Sequence, residues 1–103
     1  MVYDVGPESA RNLVASGLAL IDVRESGEWA NGHAPEARHV PLARLRSDAE
    51  SELARDGVIF VCAAGTRSEA AARLASERGL TKVYNLRGGM RGWARAGLPL
   101  VRD

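Results

Sequence analysis

The chain has one cysteine, no apolar run of membrane-spanning length and almost no net charge, and each shortage removes a class of protein. A lone Cys62 cannot close an internal disulfide. With only His33 and His39 to join it, the ligand spacing of a zinc site is missing too, so no disulfide framework, structural metal or cofactor is expected. The start, Met1-Val2-Tyr3-Asp4, has neither the charged region nor the apolar stretch of a secretory leader. With no segment suited to a bilayer, the expectation is a soluble, cytoplasmic protein without a membrane partner. Fourteen basic residues against 13 acidic ones leave a formal charge of +1, which gives no electrostatic footprint for nucleic acid. Lys82 is the only lysine among those 14, and the arginine skew carries no functional reading. A length of 103 residues suits a single domain over residues 1–103; a core of that size buries roughly two thirds of the unfolded surface.

What is present gathers around Cys62. An apolar run, Val58-Ile59-Phe60-Val61, reads as a buried strand and hands over to Cys62-Ala63-Ala64-Gly65-Thr66-Arg67-Ser68. A helical stretch over 68–78 follows, with Ala71, Leu74 and Ala75 as its apolar stripe. Backbone N–H groups of a tight loop and the positive end of a helix then converge on one sulfur at a strand's carboxyl end. The small residues Ala63, Ala64 and Gly65 let the backbone curl around it, and Gly65 can take positive φ where the curl is tightest. Arg67 supplies a guanidinium and Ser68 a hydroxyl, groups that favour a thiolate. A buried inert cysteine is the plainer reading, but such a residue does not need a glycine-containing loop and an arginine behind it.

The rest of the chain alternates strands and helices. Residues 2–5 read as an edge strand, 10–16 as a helix entered through Pro7-Glu8-Ser9, and 18–23 as a strand buried on both faces. A short helix over 25–31, a turn at Gly32-His33-Ala34-Pro35, a brief strand at His39-Val40-Pro41 and a helix over 47–55 with Leu53 inward come next. After Cys62 the pattern closes with a strand over 83–86 and a helix over 90–96. Strands separated by helical crossovers argue a doubly wound α/β domain, a parallel sheet with helices on both faces and ligands at the carboxyl ends of its strands.

Five further features lie outside the Cys62 loop. Asp22 and Arg24 end a buried strand with opposite charges and read as a structural ion pair, with Glu28 as a natural local partner of Arg24. Trp29 reads as a core or rim aromatic. His33 is read as hydrogen-bonded within its own turn rather than as a general base for Cys62, and His39 as an ordinary strand residue. Gly88-Gly89 lacks the spacing of a phosphate loop.

With Asp22-Val23-Arg24, Glu28-Trp29, Gly32-His33-Ala34-Pro35, Cys62-x-x-Gly65-x-Arg67-Ser68 and Leu86-x-Gly88-Gly89-x-x-x-Trp93 in this order, the chain resembles the single-domain rhodanese sulfurtransferases. The resemblance implies five parallel strands and a cysteine that carries transferable sulfur as a persulfide, mapped here onto Cys62. It places the sulfur-holding loop at Ala63, Ala64, Gly65, Thr66 and Arg67, with Ser68 beside it. Four residues separate Cys62 from Arg67, as in the sulfurtransferases, whereas the related phosphatases and arsenate reductases have a loop one residue longer. Where many members carry glycine after the proline of the histidine turn, this chain has Glu36. The implied reaction moves sulfur from a donor such as thiosulfate to an acceptor such as cyanide or a thiol, with Cys62 and Arg67 as catalytic residues. The alternative is a persulfide carrier or interaction module that takes sulfur from a partner protein and turns over small donors slowly.

Overall fold

Five strands form one sheet because the apolar runs are short and every connection between them carries helix. The computed structural model describes residues 1–102. The strands are β1 (Tyr3–Val5), β2 (Ala19–Asp22), β3 (Arg38–His39), β4 (Val58–Val61) and β5 (Val83–Leu86). They lie in the order β1-β5-β4-β2-β3, every neighbouring pair parallel. The helices are α1 (Pro7–Ala15), α2 (Ser26–Ala30), α3 (Leu42–Ser47), α4 (Ala49–Glu52), α5 (Thr66–Glu77) and α6 (Gly89–Arg95). This is the expected α/β architecture.

Strand β4 is central, and its four residues are all buried. Successive side chains of a strand point to opposite faces, so a strand covered on both sides must be apolar throughout. Val58 and Phe60 enter one core with Leu45, Leu53, Ala71 and Ala75, while Ile59 and Val61 enter the other with Ala10, Leu86, Met90 and Trp93. Helices α3, α4 and α5 therefore cover one face, and α1 and α6 the other. Fully burying side chains of this size contributes about 1.5–3 kcal/mol each.

Several element bounds differ from expectation. The helix expected over 47–55 is two pieces, α3 and α4, interrupted at Asp48, whose φ of −136° and ψ of 45° break the helical path; Leu53 is buried as expected. The helix after Cys62 starts at Thr66 rather than Ser68, so it begins inside the loop. Chain order enters β4 from the β3 side and leaves toward β5, which makes the carboxyl end of β4 a switch point of the sheet. In such sheets the crevice for a ligand opens at that position.

Candidate functional site

Cys62 follows β4 directly and is buried, with 1% of its surface exposed. The Gly65 N–H donates to its Sγ at 3.1 Å, and Ser68 Oγ lies 3.3 Å from the same sulfur. Gly65 makes the curl possible: its φ of 116° lies in the left-handed region that a side chain disfavours. Burial pushes the Cys62 thiol up. The Ser68 hydroxyl and the N–H groups of Ser68, Gly65 and Ala64 outweigh that effect and leave the thiol below its ordinary value.

A second helix shapes the loop from outside. At the start of α6 the Met90 N–H donates to the Cys62 carbonyl at 2.7 Å and the Arg91 N–H to the Ala63 carbonyl at 3.1 Å. Orphan donors of a helix start thus satisfy loop carbonyls and hold them turned toward α6. Gly89 permits this contact, because a Cβ there would stand 2.5 Å from the Cys62 and Ala63 backbone. The Gly88-Gly89 pair is accordingly a packing device at the loop.

Arg67 does not stand free beside the sulfur. Its guanidinium grips the Glu28 carboxylate through two bonds of 2.7 and 2.8 Å, across 39 residues of sequence. The Arg67 hydrogen bond holds the Glu28 carboxyl down at about 2 despite some desolvation, and Arg67 in turn is raised above its ordinary value, chiefly by Glu28. Glu28 is also the third helical residue of a capping box with Glu25, which fixes it at the start of α2. The expected pairing of Glu28 with Arg24 is therefore corrected. Arg24 grips Asp22 instead, at 2.8–3.1 Å, and donates to the Gly32 carbonyl, so the expected ion pair at the end of β2 is present.

The turn residues have structural partners. His33 Nδ1 lies 2.9 Å from the Trp29 carbonyl, its backbone bridges to Val101, and its ring stacks on Trp29 at 3.4 Å. His39 also stacks with Trp29 and contacts the Arg24 carbonyl through Nε2. Trp29 is thus a half-buried ring flanked by imidazoles that joins α2 to β3.

Asn85, which no sequence motif marks, sits beside the loop. It is buried, accepts a 2.6 Å hydrogen bond from Ser68 Oγ and donates to Asp4 Oδ1 at 3.3 Å. A lone polar residue in the apolar strand Val83-Tyr84-Asn85-Leu86 was the available signal. Among the described residues no cluster of His, Cys, Asp and Glu could hold a metal ion, and no helix is long and apolar enough to cross a membrane.

The chain is similar to several known proteins. A sulfurtransferase of Allochromatium vinosum is 36% identical, with 98% of this chain and 96% of that protein covered. The thiosulfate sulfurtransferase GlpE of Actinobacillus pleuropneumoniae is 31% identical, with 94% and 91% covered. YrkF of Bacillus subtilis, provisionally named a sulfur carrier, is 38% identical over 74% of this chain, which spans only 41% of that longer protein. Among solved structures, a rhodanese-related protein from Thermoplasma volcanium superposes with a TM-score of 0.86 at 25% identity, covering 98% of this chain and 99% of that one. The rhodanese-like domain model matches residues 6–96, and the chain belongs to that family.

Proposed function

We propose that the protein is a sulfurtransferase that carries sulfur as a persulfide on Cys62. The observation that carries this reading is the nest at the end of β4: a buried sulfur that accepts the Gly65 N–H while α6 holds the loop carbonyls away from it. The sulfurtransferase relatives support the same class of chemistry.

In the first half-reaction the Cys62 thiolate attacks the outer sulfur of thiosulfate. A new S–S bond forms at Cys62, the S–S bond of thiosulfate breaks, and sulfite leaves with the electron pair. Loop N–H groups stabilise the negative outer sulfur of the persulfide as oxyanion-hole donors do. In the second half-reaction cyanide or a thiolate attacks that sulfur and Cys62 leaves as thiolate. The cycle is ping-pong, and Arg67 acts on the donor's charge while tethered to Glu28.

The tether favours one variant of this reading. With Arg67 already paired, and Ala63 and Ala64 offering no charge, the loop presents little to attract a small dianion. A persulfide carrier that takes sulfur from a protein donor fits that feature. Intact-protein mass spectrometry after incubation with thiosulfate decides between them. A gain of about 32 Da, one sulfur atom, that cyanide removes supports turnover of the small donor. Loading only from a protein persulfide supports the carrier, and no loading from either source overturns sulfur transfer.

A further inference from the structure

The single hydrogen of the Ser68 hydroxyl has two acceptors in reach. Asn85 Oδ1 lies 2.6 Å from Ser68 Oγ and the Cys62 sulfur 3.3 Å from it. A serine hydroxyl donates once, so it serves one of them at a time. The shorter bond belongs to Asn85, and the Cys62–Ser68 contact is then a thiol donating to the hydroxyl oxygen, the arrangement of a protonated sulfur. For Ser68 to donate to a thiolate it must give up Asn85.

Asp4 fixes which end of the Asn85 amide faces Ser68. Parallel pairing of β1 with β5 sets Asp4 directly beside Asn85. The Asp4 carboxylate is an acceptor only, so it takes the amide nitrogen of Asn85, at 3.3 Å, and turns the amide oxygen toward Ser68. Were the amide reversed, its nitrogen would donate to Ser68 Oγ and the hydroxyl hydrogen would be free for the sulfur.

We propose that Asp4, acting through Asn85, is a positioning residue that holds the Ser68 hydrogen away from Cys62. The chain Asp4–Asn85–Ser68–Cys62 divides the Ser68 hydroxyl between two acceptors, so that hydroxyl favours the thiolate less than one free to serve the sulfur would, and the resting thiol is guarded against adventitious alkylation and oxidation. Its meaning for catalysis rests on the sulfur-transfer reading, while its effect on the thiol does not. Other charges around the loop are Arg67, paired with Glu28; Glu69 and Arg87, which line the same depression as Asp4; and Arg24 and Arg91, which line a second depression with Ala63.

The test is the pH profile of iodoacetamide alkylation of Cys62. Asp4 is exposed, so Asp4→Ala leaves the core intact. It is expected to move the midpoint of the profile to lower pH and to raise alkylation below that midpoint about threefold, a change of roughly half a pH unit. In an Ser68→Ala background the same substitution should have no effect, because no hydrogen is left to redirect. Glu69→Gln removes a neighbouring charge without touching Asn85 and should leave the profile in place. An unmoved or raised midpoint in Asp4→Ala overturns the proposal, as does a shift that persists without Ser68 or that Glu69→Gln reproduces. A normal profile shift in a protein that never forms a persulfide would overturn the sulfur-transfer reading and leave the relay standing.

Discussion

The two ends of strand β4 solve the same problem with different atoms. At the amino end the Asp56 carboxylate accepts the N–H groups of Gly57, Thr81 and Lys82 and the Thr81 hydroxyl, at 2.6–3.1 Å. At the carboxyl end the Cys62 sulfur occupies the equivalent position, among the N–H groups of Ala64, Gly65 and Ser68. Both are acceptors gathered into converging donors. Asp56 is exposed and its carboxyl is held below the usual carboxylate range, first by the Thr81 hydroxyl and then by the backbone N–H groups. Cys62 is buried, so desolvation works against its charge, and the donors prevail over it. A nest around an exposed carboxylate staples two strands, whereas the same nest around a buried sulfur sets burial against the donors and leaves a group whose charge is open to chemistry.

Exchanging the sulfur is the sharpest way to break this comparison. Cys62→Ser keeps the nest and removes the proposed nucleophile, so persulfide formation should vanish entirely while the thermal transition stays close to wild type. Retention of turnover in that variant would remove Cys62 from the mechanism. Next in size is Gly89→Ala, whose Cβ would meet the Cys62 and Ala63 backbone at 2.5 Å. Overpacking of this kind costs about 1–3 kcal/mol, and because the contact is to the loop itself, sulfur loading should fall together with stability. A stable variant with normal loading would show that α6 does not shape the nest.

Arg67→Ala is expected to lower kcat/KM with thiosulfate by about tenfold. That is less than for a dedicated oxyanion donor, because Glu28 already shares the charge. An unchanged kcat/KM would leave Arg67 with a purely architectural role. At the other end of β4, Asp56→Ala should lower the melting temperature without changing the chemistry at Cys62. Altered alkylation kinetics in that variant would mean that the two ends of the strand are coupled.

The chain's local signals reach as far as its local physics. Continuous apolar runs separated by helical stretches suffice to announce β2, β4 and β5 between layers of helix, and the Cys62 loop stands out because small residues there have no packing purpose. The failures are contacts that local rules do not govern. Arg24 and Glu28 have the spacing of a helical pair, but Arg24 precedes α2, so that rule does not apply. Arg24 instead turns back on Asp22, whose Oδ1 also accepts the Arg24 backbone N–H at 3.0 Å. Asn85, Asp4 and Gly89 owe their roles to strand order and to the seat of α6 against the loop. Neither is visible to a window a few residues wide.

The smallest expected effect concerns the tether that the sequence concealed. The Glu28–Arg67 pair is about a third exposed on each side, so solvent screens it and Glu28→Gln should cost no more than about 1 kcal/mol at neutral pH. Its sign with pH is fixed. Arg67 depresses the folded-state carboxyl of Glu28 from 4.5 to about 2, so the pair contributes fully above the higher value and loses its contribution as pH falls toward the lower one. Urea denaturation of wild type and Glu28→Gln should therefore give a stability gap near pH 7 that closes between about pH 4.5 and 2. A gap that persists at pH 2 would assign the stabilisation to the packing of α2 against the loop rather than to charge. In that case releasing Arg67 would do little for thiosulfate; if the gap closes, Glu28→Gln should lower the KM for thiosulfate, because the freed guanidinium can then face the donor.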